Sequence, residues 1–172
     1  RKVLRDIASI GLPAGTEFLD LISPQYISDL VSWGAIGART SESQVHRELT
    51  SGLSCPVGIK NSTNGEFKAA IDGMKSAQYQ HVFLGTTKQG KVAIFKTSGN
   101  DDTHIILRGG KQPNYEAEDI QKCLKELEKS EVNKCIMVDF SHGNSQKIPS
   151  NQKKVCQSVC KQIEIGSKNI VG

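Results

Sequence analysis

The segment AIGARTSESQVHRELTSGLSCPVGIK, residues 35–60, decides the fold of this chain. AIGAR and PVGIK are short apolar runs without polar alternation, which is typical of strands that are buried on both faces of a sheet. Between them, Ser41 and Gln44 form a capping-box pattern at the start of an amphipathic helix, and Gly52 ends that helix. The segment therefore predicts a strand, a helix and a second strand parallel to the first.

The same pattern recurs along the chain. HIILR at 104–108 and CIMVDFSH at 135–142 are further apolar runs, and helix-patterned segments separate them. Before residue 35, the apolar run from Leu4 to Leu12 ends in the turn LPAGTE, and Ser23-Pro24 begins a helix with Ser as N-cap. HVFLGTT and KVAIF, joined by Lys88-Gln89-Gly90, predict a hairpin between PVGIK and HIILR.

These patterns predict an α/β fold with a parallel sheet covered by helices on its faces. A TIM-type (β/α)8 barrel fits best, and the chain supplies about five of its strands plus the inserted hairpin. A doubly wound sheet is the alternative, although that fold usually binds ligands beside one reversal of strand order. Residues 1–172 are predicted to form a single domain, the central part of the barrel.

Composition excludes several classes of protein. The 172 residues are 37% hydrophobic, which suits one globular domain with a core. The 22 Lys plus Arg against 18 Asp plus Glu give a formal charge of only +4, too small to indicate a nucleic-acid or anionic-membrane partner. No apolar run approaches a membrane span, the first residues do not resemble a signal peptide, and five cysteines do not suit a secreted disulfide framework. We therefore expect a cytoplasmic protein.

The strand-like runs end in residues that can bind anions or metals: Arg39, Lys60, Arg108 and His142. Because the carboxyl ends of parallel strands meet at one edge, these side chains are expected to surround a pocket for a small phosphorylated substrate. The alternatives are a solvated arginine, a lysine in a structural salt bridge, and a hydrogen-bonded histidine. The later segment NSQKIPSNQ is interpreted simply as a polar loop.

Three blocks carry a resemblance to a known family: LPAGTEFLDLISPQYISDLVSWGAIGARTSESQVHRELTSGLSCPVGIKNST, ILRGGKQPNY and DFSHGNS. They resemble 3-deoxy-D-arabino-heptulosonate 7-phosphate (DAHP) synthase of the type I class that aromatic amino acids regulate. The resemblance covers nearly the whole chain. It implies a β/α barrel that condenses phosphoenolpyruvate with erythrose 4-phosphate and releases phosphate, at the first step of the shikimate pathway.

The resemblance also assigns roles to single residues. Arg39, Lys60 and Arg108 match phosphoenolpyruvate-binding cations, with the backbone of Ala38 beside them. Glu17 matches an acidic residue near the reacting end of phosphoenolpyruvate, and Lys60 is also a candidate proton donor. His142 matches a ligand of a divalent metal ion, which could be Mn, Fe, Co or Zn.

The hairpin, residues 81–97, matches a regulatory extension of the family. The resemblance implies a feedback-inhibitor site formed by Asp20, Ile22, Pro24, Gln25, Leu49, Ser54, Phe83 and Gly85, with Lys88 close by. Gly85 replaces a serine of phenylalanine-sensitive members, and the extra space favours tyrosine as the effector. An ordinary edge hairpin is the alternative. We also expect a homo-oligomer.

Two other functions stay open from the sequence. One is a related phosphoenolpyruvate–aldose phosphate synthase that takes a five-carbon sugar, and the other is an inactive anion-binding fragment. The resemblance places a cysteine metal ligand before this segment, and glutamate and aspartate ligands after it. His142 is then one ligand, whereas a catalytic metal site needs roughly three or four.

The isolated segment is therefore expected to bind metal weakly and to be inactive. The measurement is product formation by purified residues 1–172 with phosphoenolpyruvate, erythrose 4-phosphate and manganese. Turnover by this segment alone would contradict the expectation.

Overall fold

The computed structural model describes residues 1–172 and contains seven strands. They are β1 (Gly15–Glu17), β2 (Trp33–Ile36), β3 (Val57–Lys60), β4 (Val82–Thr86), β5 (Val92–Lys96), β6 (Thr103–Leu107) and β7 (Ile136–Val138). Five of them form one parallel sheet in the order β1-β2-β3-β6-β7, and β4 and β5 form a separate antiparallel pair. The prediction of an α/β fold with a parallel sheet and a separate hairpin is confirmed, and the sheet in this chain is open.

Helices connect the neighbouring strands of the sheet. The α-helices are α1 (Lys2–Ser9), α2 (Pro24–Ile27), α3 (Gln44–Ser51), α4 (Lys68–Ala77), α5 (Ala117–Lys129) and α6 (Gln152–Glu164), and short 3-10 turns cover Ser28–Leu30 and Pro149–Asn151. Helix α3 links β2 to β3, α4 and the hairpin link β3 to β6, and α5 links β6 to β7. Since every sheet neighbour is parallel, the carboxyl ends of all five strands lie at one edge. No helix has the length and apolarity needed to cross a membrane.

The core lies between the sheet and the helices that cover it. All five residues of β6 are buried, and Ile105 and Leu107 have no exposed surface. Ile120 and Leu127 of α5 and Met74 of α4 belong to the same cluster of 21 buried apolar residues. Each of these large side chains contributes about 1.5–3 kcal/mol by its burial. The strand sequences are continuously apolar because the pleated surface has no solvent-facing side.

The structure corrects two local predictions. The predicted turn LPAGTE contains strand β1, and helix α1 (Lys2–Ser9) precedes it. The capping box of Ser41 and Gln44 is wrong, because Ser43 is the N-cap residue of α3 and its hydroxyl bonds His46 Nδ1 at 2.7 Å. Local hydrogen bonds of this kind compete with a cap.

The predictions at two other helix boundaries are confirmed in part. Ser23 precedes α2 as predicted, but its hydroxyl donates to Asp20 Oδ2 at 2.6 Å and does not cap the helix. Pro24 does lie in the first turn of α2, and Gly52 does end α3. The hairpin turn is also as predicted, with Gly90 at a φ of 74°.

At the amino-terminal end of the sheet, two aromatic side chains meet. The Trp33 indole N–H donates to His104 Nε2 at 3.1 Å. Nε2 of His104 is therefore unprotonated, and the imidazole is neutral. Asp102, Asn133 and Cys135 line the same small cavity. Burial lowers the pKa of His104 below its ordinary value.

The folded state is therefore expected to lose stability in acid through His104. Its pKa is lower in the folded than in the unfolded chain, so the unfolded chain binds the proton first as pH falls below about 6.5. The free energy of unfolding should decrease there by up to about 1.4 kcal/mol per pH unit, and His104→Gln should remove this component. Urea unfolding of the full-length protein between pH 5 and 7.5 measures it.

The control variant is His81→Gln, because His81 Nε2 lies 2.9 Å from the acceptor Ser76 O and faces no fixed donor. This variant should keep the pH dependence of the wild type. Equal slopes for His104→Gln and the wild type would contradict the assignment.

Candidate active site

The structure brings Arg39, Lys60, Arg108 and His142 to one cavity of about 560 Å³. Lys60 is the last residue of β3, Arg108 directly follows β6, and Arg39 and His142 follow β2 and β7 by a few residues. Parallel pairing therefore places all four at the same edge. Ala38 and Glu17 also line this cavity, so every residue that the sequence assigned to the substrate and metal site lies around it.

Glu17 and Lys60 form an ion pair inside the cavity. Lys60 Nζ donates to Glu17 Oε2 at 2.8 Å, and the Lys60 side chain is only 16% exposed. The Glu17 carboxylate can lie against the backbone after β2 because Gly37 has no side chain there. A Cβ at Gly37 would lie 2.5 Å from Glu17 Oε1. The pair gives the partly buried ammonium the anionic partner that it requires.

The two arginines of the cavity have no carboxylate partner within the chain. Neither Arg39 nor Arg108 forms a salt bridge, and the Arg108 guanidinium makes only a long hydrogen bond of 3.5 Å to Gly109 O. Each guanidinium is therefore available to bind a carboxylate or phosphate through two parallel N–H donors. The cavity as a whole carries an excess of positive charge, which attracts anions.

His142 is held in one orientation by Asp139. His142 Nδ1 lies 2.7 Å from Asp139 Oδ2, while Asp139 Oδ1 accepts from the Ser141 N–H at 2.8 Å. His142 also has a left-handed backbone, with φ of 51°. A carboxylate bound to one imidazole nitrogen fixes the tautomer and leaves the other nitrogen, Nε2, available to a metal.

The side chains at this cavity provide one oriented metal ligand, the imidazole of His142. No group of three or more His, Cys, Asp or Glu side chains in this chain could hold a metal ion. His142 and its Asp139 partner have the form of a ligand with its supporting carboxylate, and no further ligands complete a site within residues 1–172.

Two polar residues of this cavity were not predicted from the sequence. Lys147 and Thr63 both line it. Lys147 lies in the segment that was interpreted as a polar loop, and its N–H donates to His142 O at 2.9 Å. That bond closes a turn in which Lys147 has a φ of 59°. The sequence signal for Lys147 was its position five residues after His142. Only the turn, however, brings the lysine back to the cavity.

A second cavity, of about 480 Å³, lies under the hairpin. It contains six of the residues assigned to the inhibitor site, namely Asp20, Ile22, Gln25, Leu49, Phe83 and Gly85. Pro24 lines an adjoining cavity of about 550 Å³, whereas Ser54 is exposed and lines neither. The placement of Ser54 therefore differs from the sequence assignment. Leu19 lines both the cavity under the hairpin and the cavity of the cations.

The hairpin and the loop after β1 shape this cavity through different contacts. Within the hairpin, Phe83 and Phe95 stack with their ring centroids 5.9 Å apart. The Tyr26 hydroxyl donates to Lys88 O at 2.9 Å and ties the hairpin to α2. Asp20 accepts from the backbone N–H groups of Ile22 and Ser23, each at 2.7 Å. The Ser23 hydroxyl and these backbone donors lower the pKa of Asp20, so the cavity retains a charged carboxylate.

Comparison with known proteins places the chain in a family. The family model described as "DAHP synthetase I family" matches residues 2–172. The chain belongs to this family. It is 58% identical over its whole length to phospho-2-dehydro-3-deoxyheptonate aldolase of Haemophilus influenzae, covering 48% of that protein.

Other relatives are similar over the same extent. The chain is 58% identical to the Phe-sensitive enzyme of Escherichia coli K12 and 50% identical to the Trp-sensitive enzyme of Shigella flexneri, and in each case all of the chain matches 49% of the relative. The solved aldolase structure from Francisella tularensis SCHU S4 matches with a TM-score of 0.97 and 53% identity, over 100% of this chain and 50% of that one.

This member of the DAHP synthetase I family thus spans about half the length of the relatives that it matches. The TM-score shows that its open five-stranded sheet and hairpin have the arrangement of the corresponding half of the Francisella protein. Relatives named for sensitivity to phenylalanine and to tryptophan are both similar to it, so these matches do not support the expected tyrosine-sensitive type.

Proposed function

We propose that this chain is part of a DAHP synthase, which condenses phosphoenolpyruvate with erythrose 4-phosphate and releases phosphate. The observation that carries the proposal is the cavity at the strand ends, where two guanidinium groups without carboxylate partners lie beside Lys60 and an oriented imidazole. Its volume of about 560 Å³ lies in the range of small-molecule sites. Membership of the DAHP synthetase I family supports the same reaction.

In this proposal the cations bind phosphoenolpyruvate. Arg39 and Arg108 hold its carboxylate and phosphate through bidentate hydrogen bonds, which fixes the orientation of the reacting carbons. Carbon 3 then bonds to the aldehyde carbon of erythrose 4-phosphate, and Lys60 donates a proton to the developing alkoxide. Glu17, which is 2.8 Å from Lys60, orders the water that adds at carbon 2 before phosphate leaves.

His142 is proposed as one ligand of a divalent metal ion. Its free Nε2 would hold the ion at the mouth of β7, and Asp139 would keep the imidazole in the required tautomer. When bound, the metal would supply Lewis-acid polarisation of the aldehyde carbonyl or activation of water. The choice among Mn, Fe, Co and Zn is not determined by one imidazole ligand.

The whole protein is further proposed to be a closed (β/α)8 barrel and a cytoplasmic homo-oligomer. In it, residues 1–172 form the central part of a single domain, and residues 81–97 form a regulatory extension. An open parallel sheet has two unpaired edges, and barrel closure removes both. The parallel bridge between Ile136 and Ile170 supports this, because the chain begins to pair on the free side of β7.

The proposed reaction is tested by Arg108→Ala in the full-length protein. Loss of a charged hydrogen-bond partner costs about 1.5–3 kcal/mol, so the KM for phosphoenolpyruvate should rise roughly tenfold to a hundredfold. Arg5→Ala is the control, because Arg5 is exposed on α1 and does not line the cavity. Steady-state release of phosphate with both substrates measures the effect.

Two results would contradict the proposed reaction. A wild-type protein that uses a five-carbon sugar phosphate in place of erythrose 4-phosphate would be the related aldose phosphate synthase. A protein that binds phosphoenolpyruvate in a calorimetric titration but forms no product with either sugar would be an anion-binding module.

We also propose that the cavity under the hairpin binds an aromatic amino acid, with tyrosine favoured. Gly85 supports tyrosine because the ring of Phe95 lies directly against it, where a Cβ would be only 2.8 Å from the ring, so that a serine at this position would displace this wall of the cavity. The apolar walls suit an aromatic ring, and the charged Asp20 suits an ammonium group.

Gly85→Ser is expected to shift the preference of the effector. A Cβ at residue 85 would lie 2.8 Å from Phe95, so the ring must shift and change the shape of the cavity that it lines. Inhibition of the full-length enzyme by tyrosine should weaken more than inhibition by phenylalanine, as measured by the concentrations that halve the rate. Thr86→Ser, at the next position, is the control. Stronger inhibition of the wild type by phenylalanine than by tyrosine would argue against tyrosine.

A further inference from the structure

Three buried carboxamide side chains lie beneath the cavity of the cations. Asn61 is fully buried, and Asn114 and Asn144 are 6% and 3% exposed. Each belongs to a different loop at the carboxyl edge of the sheet: Asn61 follows β3, Asn114 follows β6, and Asn144 follows β7. None of the three lines the cavity, so none can contact the substrate directly.

Two of these side chains hold the backbone of Arg108. The Arg108 N–H donates to Asn61 Oδ1 at 2.8 Å, and the next N–H, of Gly109, donates to Asn114 Oδ1 at 2.8 Å. Asn114 Nδ2 in turn donates to Asn61 Oδ1 at 3.2 Å, and Asn61 Nδ2 donates to Gly109 O at 3.2 Å. The peptide groups that set the direction of the Arg108 side chain are thus bound from two loops.

The third side chain connects this arrangement to the loop of His142. Asn144 Oδ1 accepts from the Asn114 N–H at 2.8 Å, and Asn144 Nδ2 donates to Leu107 O at 3.0 Å and to Asp139 O at 2.9 Å. Arg108 O accepts from the Gly143 N–H at 2.9 Å. Gly143, which follows His142, and the backbone of Asp139, whose carboxylate orients the imidazole, are therefore both tied to the segment of Leu107 and Arg108.

Close packing at Gly109 and Gly143 leaves the loops after β6 and β7 little room to move where they meet. Gly109 has a φ of 73°, and a Cβ there would lie 2.5 Å from Asn144 N. A Cβ at Gly143 would lie 2.7 Å from the carbonyl carbon of Gly109. The loops after β6 and β7 cross backbone against backbone, so a shift in one loop must move the other.

Asparagine suits all three positions for a chemical reason. Each side chain both donates and accepts, which an ionised carboxylate cannot do. A carboxylate would also bring negative charge beneath a cavity whose cations bind anions. The neutral amides satisfy buried peptide groups without weakening that binding.

We propose that Asn61, Asn114 and Asn144 are positioning residues that set the separation of the Arg108 guanidinium, which binds phosphoenolpyruvate, and the His142 imidazole, which would hold the metal, so that both groups act at one reaction site. This inference rests on the proposed function for its substrate. The three amides act through Arg108 and His142 and not by contact with the reacting atoms.

The test uses Asn114→Ala in the full-length protein, with Asn100→Ala as a matched control. Asn100 is 7% exposed, donates to Thr50 O and Cys55 O at 3.2 and 3.1 Å, and accepts from the Asp102 N–H at 3.0 Å. It precedes β6, at the opposite end of that strand from Asn114. The two variants lose similar buried hydrogen bonds at opposite ends of the sheet.

Both variants should lose stability in urea, but only Asn114→Ala should lose affinity. Calorimetric titration with phosphoenolpyruvate alone, and with manganese alone, should give dissociation constants raised roughly 10- to 100-fold in Asn114→Ala. Both constants should be unchanged in Asn100→Ala. Wild-type affinities in a folded Asn114→Ala would overturn the inference.

Asn114→Asp supplies a second test that preserves the shape of the side chain. The carboxylate loses the donor to Asn61, but its protonated form has one donor and one acceptor again. The ratio of its phosphoenolpyruvate dissociation constant to that of the wild type should therefore fall toward one as pH decreases. A ratio of one at every pH would overturn the inference.

Failure of the inference can be told apart from failure of the proposed function. If the wild type binds phosphoenolpyruvate but forms no DAHP, the proposed reaction is wrong while the affinity comparison still tests the positioning role. If the wild type forms DAHP and Asn114→Ala keeps the wild-type affinities, the reaction stands and the positioning role is wrong.

Discussion

Parallel pairing of the five strands is the constraint on which the rest of the structure depends. Hydrogen bonds between β2, β3, β6 and β7 bring the ends of these strands to one edge, although residues 39 and 142 are far apart in sequence. This strand order is stable because burial against α4 and α5 stabilises only the register that places the apolar strand side chains in the core. The polar residues that follow the strands are then placed by the sheet and need no mutual attraction.

Those polar residues would repel one another without compensation. Arg39, Lys60, Arg108 and Lys147 line the same cavity, and within it only Glu17 carries the opposite charge. The ion pair of Glu17 and Lys60 offsets part of the repulsion, and the neutral amides beneath the cavity hold the loops without adding charge of either sign. The sheet core thus supports an arrangement that favours a bound anion over an empty cavity.

The sequence predicted this edge well because its signals were local and strong. Apolar runs ending in Arg39, Lys60 and Arg108 identified three strands and their ends, and Gly90 identified the hairpin turn. Strand β1 was missed because three residues with the burial pattern of an edge carry no periodicity. The cap of α3 was misplaced because Ser43 bonds His46 instead of the helix backbone.

The tertiary parts of the site could not be predicted in the same way. Asn61, Asn114 and Asn144 are common loop residues in sequence, and only the crossing of three loops makes them one network. Lys147 reaches the cavity through a left-handed turn that no residue type in that segment demands. Ser54, in contrast, belongs to the matched block but is exposed and lines neither cavity near the hairpin.

The position of Leu19 has a consequence for the two cavities. Leu19 borders both, two residues after Glu17 and one residue before Asp20. A ligand under the hairpin that moved this residue would also change the lining of the cavity of the cations, and by thermodynamic reciprocity a ligand among the cations would act on the cavity under the hairpin. The short stretch after β1 is thereby common to both compartments.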